Sequence, residues 1–432
     1  MVDDWVIGDV ERPWRLATRV LFRLSVVYFS LYVVTTQMLG SLIPLPGIEL
    51  PELSSRPPVR TIVSWVALHV FRVTTPLVVT GSGSGDKTFD WVHAFCVLVI
   101  SLVATAIWSG LDRRPERYPR LHPWFRLFAR FALGSTMVTY GMVKAVPLQM
   151  PAPSLARLLE PYGQFSPMGV LWASVGASRS YEIVIGCMEL AGGVLLFVPR
   201  TATLGALICL VDTVQIFTLN MTYDVPVKLF SFNLIVLSLI LLAPRARLLA
   251  HALGLGSTPE APSEPPVRLP RARLLLGVQI VFGVYLIGAN LYGARQAWTT
   301  YGGGAPKSPL YGIWNVDQLS IDGHVRSPLV TDYDRWRRVL FDRPGAAAFQ
   351  RMDDSLVYYA AKIDQTAGSL TLTRPNSTGS ASLHFQRPAP DRLMLDGMMD
   401  GHTVRMELRR TDTTFLLVTR GFHWVQEYPF NR

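Results

Sequence analysis

Runs of apolar residues long enough to cross a bilayer alternate with short polar or proline-rich breaks over the first three hundred residues. A membrane helix needs about 20 consecutive apolar residues, and the runs at 17–39, 89–110, 126–147, 181–198, 201–221, 226–244 and 272–297 meet that need, predicting seven spans. The stretch 59–80 is apolar too, but Arg60, His69, Arg72 and Pro76 interrupt it, so a helix in the lipid plane or a re-entrant segment is expected. From Tyr301-Gly-Gly-Gly onward the period changes. Ser369–Thr373, Ala381–Gln386, Thr403–Leu408 and Phe415–Arg420 alternate as strands do, with turns expected at Asp396-Gly397 and Asp400-Gly401 and a helical turn around Trp336 and Arg337. The expected fold is a mainly α, polytopic membrane helix bundle plus a C-terminal antiparallel β-barrel-like extramembrane domain. It divides into an N-terminal membrane region (1–125), a membrane core with the final span (126–300) and a β domain (301–432).

Composition agrees: half of the 432 residues are hydrophobic and only 17% are charged. The net charge of +10 is arginine-rich and clustered beside the apolar runs, at Arg12, Arg15, Arg19 and Arg23, at Arg113, Arg114, Arg117, Arg120 and Arg126, at Arg245 and Arg247, and at Arg268, Arg271 and Arg273. Positive loops stay in the cytoplasm. Seven spans then put every basic loop on one side and the C-terminal domain on the extracytoplasmic side, in a multi-pass cell-membrane protein. No nucleic-acid module accompanies the charge. The first run lacks a small-x-small cleavage site and is expected to be a retained span. Residues 254–270, rich in Pro, Glu and Ser, predict a cytoplasmic linker, and amphipathic pieces are expected near Ser154–Glu160 and Met168–Val175.

Cys96, Cys187 and Cys209 lie in apolar runs without a C-x-x-C pair and suit packing. The histidines have no metal or haem spacing. Ionisable residues in the spans remain as candidate chemistry, because charges in hydrocarbon need a partner, water or a ligand. Lys144, Glu189, Asp212, Asp224 and Lys228 are the candidate catalytic set. Asp224 and Lys228 stand four residues apart at the mouth of a helix whose first turn is expected to hold Pro226, and Tyr140 shares a face with Lys144. Tyr140, Asn220, Asn233, Asp86 and His93 are candidate cofactor-binding residues. Asp86 closes the Gly81-Ser-Gly-Ser-Gly segment, either an anion cradle at a helix N-terminus or a hairpin loop. For Glu182 a carboxylate at the water interface is expected.

Tyr140-Gly-x-x-Lys144, Glu189-x-x-Gly192-Gly193 running on to Pro199-Arg200, and the polar corner before residue 228 resemble the DoxX-like membrane family over about 120–245. The layout from residue 17, with a first span, a long outer loop and a buried lysine, shows a remoter likeness to HTTM and vitamin K-dependent carboxylase-type membrane domains. The DoxX-like resemblance implies a four-helix membrane core and, in some members, association with quinol oxidation or oxidative-stress pathways. Gly312-Ile-Trp314 resembles the G-x-W start of lipocalin-type barrels, which implies a tryptophan at the barrel floor covered by an arginine of the last strand, here Arg420. Two functions stay open. One is a membrane oxidoreductase or a subunit of one, handling a proton for a quinone. The other is a non-catalytic scaffold or lipid-binding protein whose β domain recruits an apolar ligand or a partner subunit.

Overall fold

A computed structural model describes residues 14–48, 50–112, 118, 121–252, 254, 272–375, 379–411 and 414–431. The basic residues Arg12, Arg113, Arg114, Arg117, Arg120, Arg268 and Arg271, and the linker expected at 254–270 apart from Gly254, lie outside these residues. The helices are α1 (Leu16–Thr35), α2 (Met38–Leu42), α3 (Val59–His69), α4 (Thr88–Leu111), α5 (Leu121–Ala145), α6 (Leu155–Leu159), α7 (Pro167–Gly176), α8 (Arg179–Phe197), α9 (Ala202–Thr222), α10 (Lys228–Leu242), α11 (Ala246–Ala252), α12 (Ala272–Thr300) and α13 (Leu416–Thr419).

Among the described residues six helices are long and apolar enough to cross a membrane: α1, α4, α8, α9, α10 with its continuation to Ala252, and α12. The other expected span is the helix α5, which carries Arg126, Arg130 and Lys144. Ala129, Ala132, Leu133 and Val138 of α5 are at most 0% exposed, so it is a central helix of the bundle, able to hold polar groups that lipid would not accept. The lipid-facing helices show the reverse. Ile100, Val103 and Ile107 of α4 and Val281 and Val284 of α12 are exposed, an apolar surface that suits hydrocarbon and not water. Within 59–80 only α3 is helical. Its 11 residues rise about 16 Å, against a hydrocarbon core of about 30 Å, so this stretch does not cross as a helix.

The chain divides into two units that cut across the expected domains. One takes the chain up to Val146 together with Ile183–Arg295; the other joins Pro147–Glu182 to Gln296–Arg432. The connection after α5 thus belongs with the β domain. Its two amphipathic pieces are α6 and α7, each started by a serine side chain: Ser154 accepts the Arg157 N–H and Ser166 the Gly169 N–H. Leu155, Ala156 and Leu159 of α6 pack against Ile313, Leu340 and Ala348 of the barrel.

The barrel strands are β1 (Gly312–Ile321), β2 (His324–Val325), β3 (Trp336–Phe341), β4 (Ala346–Arg351), β5 (Leu356–Asp364), β6 (Ser369–Thr373), β7 (Ser380–Ala389), β8 (Arg392–Met399) and β9 (His402–Thr411). All pairings are antiparallel between sequence neighbours except that β1 skips the two-residue arm β2 to pair with β3. Pairing of β1 with β9, from Ile313↔Thr411 to Ile321↔Val404, closes the barrel. Period-2 alternation sends Trp314, Leu319, Val339, Phe349, Leu370 and Leu395 inward, all 0% exposed. An interior of this strand number is just wide enough for side chains to fill.

Three expectations at this level are corrected. Trp336 and Arg337 open β3 instead of forming a helical turn, because Trp336 fills the barrel interior against Phe349. Asp396-Gly397 lies inside β8, where Gly397 has φ 152° and its backbone passes so close to Ser382 O that a Cβ would not fit. Phe415–Arg420 contains the short helix α13, since β9 already closes the sheet and leaves no edge to pair with. The turn at Asp400-Gly401 is as expected, with both residues at positive φ.

Candidate functional site

Small residues bring α5, α8 and α9 together. A Cβ on Gly141 of α5 would stand 2.7 Å from Leu190 N of α8, and one on Gly205 of α9 would stand 2.8 Å from Leu196 N. Such close approach is the usual packing of membrane helices. It sets Lys144 of α5 against Glu189 of α8. The Lys144 Nζ donates to both carboxylate oxygens of Glu189, at 2.7 and 2.8 Å, and the two residues are 5% and 3% exposed. Tyr140, one turn before Lys144, presents its ring 5.8 Å from Nζ while its hydroxyl donates to Gln37 Oε1 at 3.0 Å. Asp212 of α9 lies within electrostatic reach of both Glu189 and Lys144. It is buried, and its Oδ2 has no hydrogen-bond partner.

The second half of the candidate set forms a separate group. Lys228 bonds Asp224 at 2.9 Å and stands 3.9 Å from Asp86, but the Asp224 side chain is 84% exposed. The helix α10 begins at Lys228, so Pro226 precedes it instead of lying in its first turn. Asp86 is a correction as well. Its carboxylate accepts the backbone N–H of Lys228 at 2.7 Å and of Leu229 at 3.0 Å, so it caps α10 from a distant part of the chain. A helix N-terminus attracts an anion, and here the protein supplies its own. The Gly85 N–H, which donates to Pro226 O, fastens the glycine-rich segment to the same corner. Asp90, not Asp86, serves the start of α4, accepting the Lys87 N–H at 3.1 Å.

Asn220 donates to Val227 O and Ser231 Oγ, bridging α9 to α10. Asn233 accepts from the Tyr28 hydroxyl at 2.9 Å and ties α10 to α1. His93 is buried in α4 with no partner for Nε2. Among the described residues no hydrogen bond or ion pair joins the Lys144 group to the Lys228 group. No cluster of three His, Cys, Asp or Glu suited to a metal occurs among the described residues. Glu182, expected at the water interface, is 1% exposed and accepts the Met150 N–H at 2.9 Å.

Two arginines not among the candidate site residues also hold helices together, Arg23 buried and Arg130 half-buried. Arg23, 1% exposed, donates to Tyr118 Oη at 2.6 Å, Ser109 Oγ at 2.8 Å and Asp112 O at 2.7 Å. Arg130 donates through Nε to Leu196 O at 2.8 Å. Both stand inside apolar runs that also carry topology-setting arginines, and only the run position marked them. In the barrel, Trp314 is fully buried and donates to Leu310 O at 2.9 Å. Its covering arginine is Arg387 of β7, with the guanidinium 5.7 Å from the ring; Arg420 stands over Phe430.

No family model matches the chain, and no solved structure matches it. Over 127 residues, 27% of this chain, it is 33% identical to "Uncharacterized protein YwoB" of Bacillus subtilis (strain 168), covering 72% of that protein. That identity and coverage place the chain, over the matched part, in the family of the Bacillus subtilis protein YwoB.

Proposed function

We propose that the chain is a DoxX-like integral membrane protein in which Lys144, Glu189 and Asp212 handle a proton at the polar head of a bound quinone, with its lipocalin-like β domain on the extracytoplasmic side. The observation that supports this is the buried Asp212 carboxyl, left with an unpartnered oxygen beside a closed Lys144–Glu189 pair. One ammonium faces two acids, so the cluster is charge-balanced only with a proton on one of them, and that is the proton a ligand can exchange. Tyr140 bounds the group with a hydroxyl held by Gln37. A bound quinone and a partner subunit would supply the electron transfer, since these side chains carry no electrons.

The test is purification of the full-length protein, solvent extraction and chromatography for a co-purifying quinone, repeated with Asp212→Asn and Lys144→Met. Asp212→Asn keeps the shape and loses the exchangeable proton. Quinone should co-purify with the wild type and fall about tenfold with either variant. Retention unchanged by both would sink the reading.

A second reading has its own support. Asp86 caps α10, Arg23 and Arg130 bind backbone carbonyls, and Asn220 and Asn233 bridge helices, so these polar groups fasten the bundle. A non-catalytic scaffold or lipid-binding protein would need no more than that, and it gains if no quinone is found.

A further inference from the structure

The unit formed by Pro147–Glu182 and Gln296–Arg432 contains a small open cleft whose lining includes Arg179, Arg343, Glu182, Trp298, Gly302 and Gly303. Two cations and one acid face it, and they are not equivalent. Glu182 is fully buried and its Oε1 already accepts the Met150 N–H. Both arginines are exposed. The Arg179 guanidinium lies 5.6 Å from the Trp298 ring, and neither arginine pairs with a carboxylate among the described residues. Elsewhere in this unit arginines do find acids: Arg157 pairs with Glu160, Arg326 with Asp332 and Arg337 with Asp354. Even the aspartate next to Arg343 is turned away, since Asp342 Oδ2 accepts the Leu155 N–H at 3.0 Å.

The floor is built for close approach. Gly302 and Gly303 lie so near Trp298 that a Cβ on either would meet it, 2.8 Å from Trp298 Cα at Gly302. The glycines let the backbone lie flat there, which leaves the cleft open beside the two guanidiniums. Arg179 opens the spanning helix α8 and Trp298 lies in the last turn of the spanning helix α12. Tryptophan at the end of a span marks the headgroup level. Planar guanidiniums bind phosphate oxygens in pairs.

We propose that this cleft binds a phosphate group between Arg179 and Arg343. A phospholipid headgroup and a free phosphate present the same chemistry, and the experiment separates them. Full-length protein, delipidated in nonionic detergent, would be titrated with inorganic phosphate by calorimetry. In parallel it would be placed in phosphatidylcholine nanodiscs containing phosphatidylglycerol, and retained lipid counted by mass spectrometry after extraction. Each ligand would also be tested with Arg179→Gln, Arg343→Gln and Arg343→Lys. Arg343 sits in the exposed turn between β3 and β4, so its variants keep the fold.

Loss of each arginine should weaken binding about tenfold, and Arg343→Lys should fall between, keeping charge without the fork. Retained phosphatidylglycerol that inorganic phosphate does not displace identifies the headgroup as the source. Calorimetric binding of phosphate that also displaces the lipid identifies a free phosphate. The proposal is overturned if the wild type binds neither, or if Arg343→Gln binds as well as the wild type. None of these outcomes depends on quinone binding in the other unit.

Discussion

Asp322 shows at the scale of one residue how the extramembrane part answers to pH. Its carboxylate bonds His402 Nδ1 at 2.7 Å and accepts the Thr403 N–H at 2.9 Å, and these bonds hold its pKa below the usual aspartate range. The folded state therefore favours the ionised form. The stabilisation is fully present above the unfolded value of about 3.9 and is lost as pH falls through the lower folded value. Asp322→Asn should melt below the wild type at neutral pH and converge with it in acid, as followed by tryptophan fluorescence of the full-length protein. A difference constant with pH would reject the role given to the carboxylate. Individual residues were legible only in part. A lysine or an acid in an apolar run stands out because hydrocarbon penalises it, so Lys144, Glu189 and Asp212 could be picked. Their partners could not. Nothing local to Asp86 says that its carboxylate closes a helix 142 residues away, and nothing separates Arg387 from Arg420 as the cover of Trp314, because that choice is made by barrel register.

Helices were easier to read than strands because each carries its own period and length. The ends of α4, α8 and α9 fall within a residue or two of the apolar runs. The β segments depend on neighbours: Trp336 becomes a strand residue because the barrel interior receives its ring, and Asp396-Gly397 stays in a strand because β7 passes beside it. Glycines in the spans could be noticed, but their weight is set by what faces them. Gly186 of α8 lies against the backbone of Lys144 and Ala145, too close for a Cβ, whereas Gly288 of α12 has open space around it. Gly186→Ala must push α5 from α8 and strain the Lys144–Glu189 pair, at a cost of about 1–3 kcal/mol from overpacking. Gly288→Ala should be neutral or slightly stabilising, since it removes only backbone freedom. Thermal unfolding of the full-length protein in detergent compares them, and equal melting temperatures would show that α5 and α8 do not meet at this glycine.

For the molecule as a whole, α5 decides which side carries the barrel. Among the described residues it is the one long helix whose composition does not look like a span, because it carries Arg130 and Lys144. Suppose it does not cross. The six remaining spans would then return the barrel to the side of the first arginines, and Arg200 and Arg245 would fall on opposite sides from the basic residues before α5. If α5 crosses, Arg19, Arg126, Arg200, Arg245 and Arg273 all share one face of the membrane and the barrel takes the other. Arginine bias of this kind orients membrane proteins, so the second arrangement is the expected one. It can be tested in intact cells with a membrane-impermeant maleimide on a background in which Cys96, Cys187 and Cys209 are serine. Lys362→Cys, exposed on β5, should label without lysis, and Arg247→Cys, exposed on α11, only after it. Labelling of both before lysis would reveal leaky cells, and the reverse pattern would place the barrel in the cytoplasm and remove α5 from the spans.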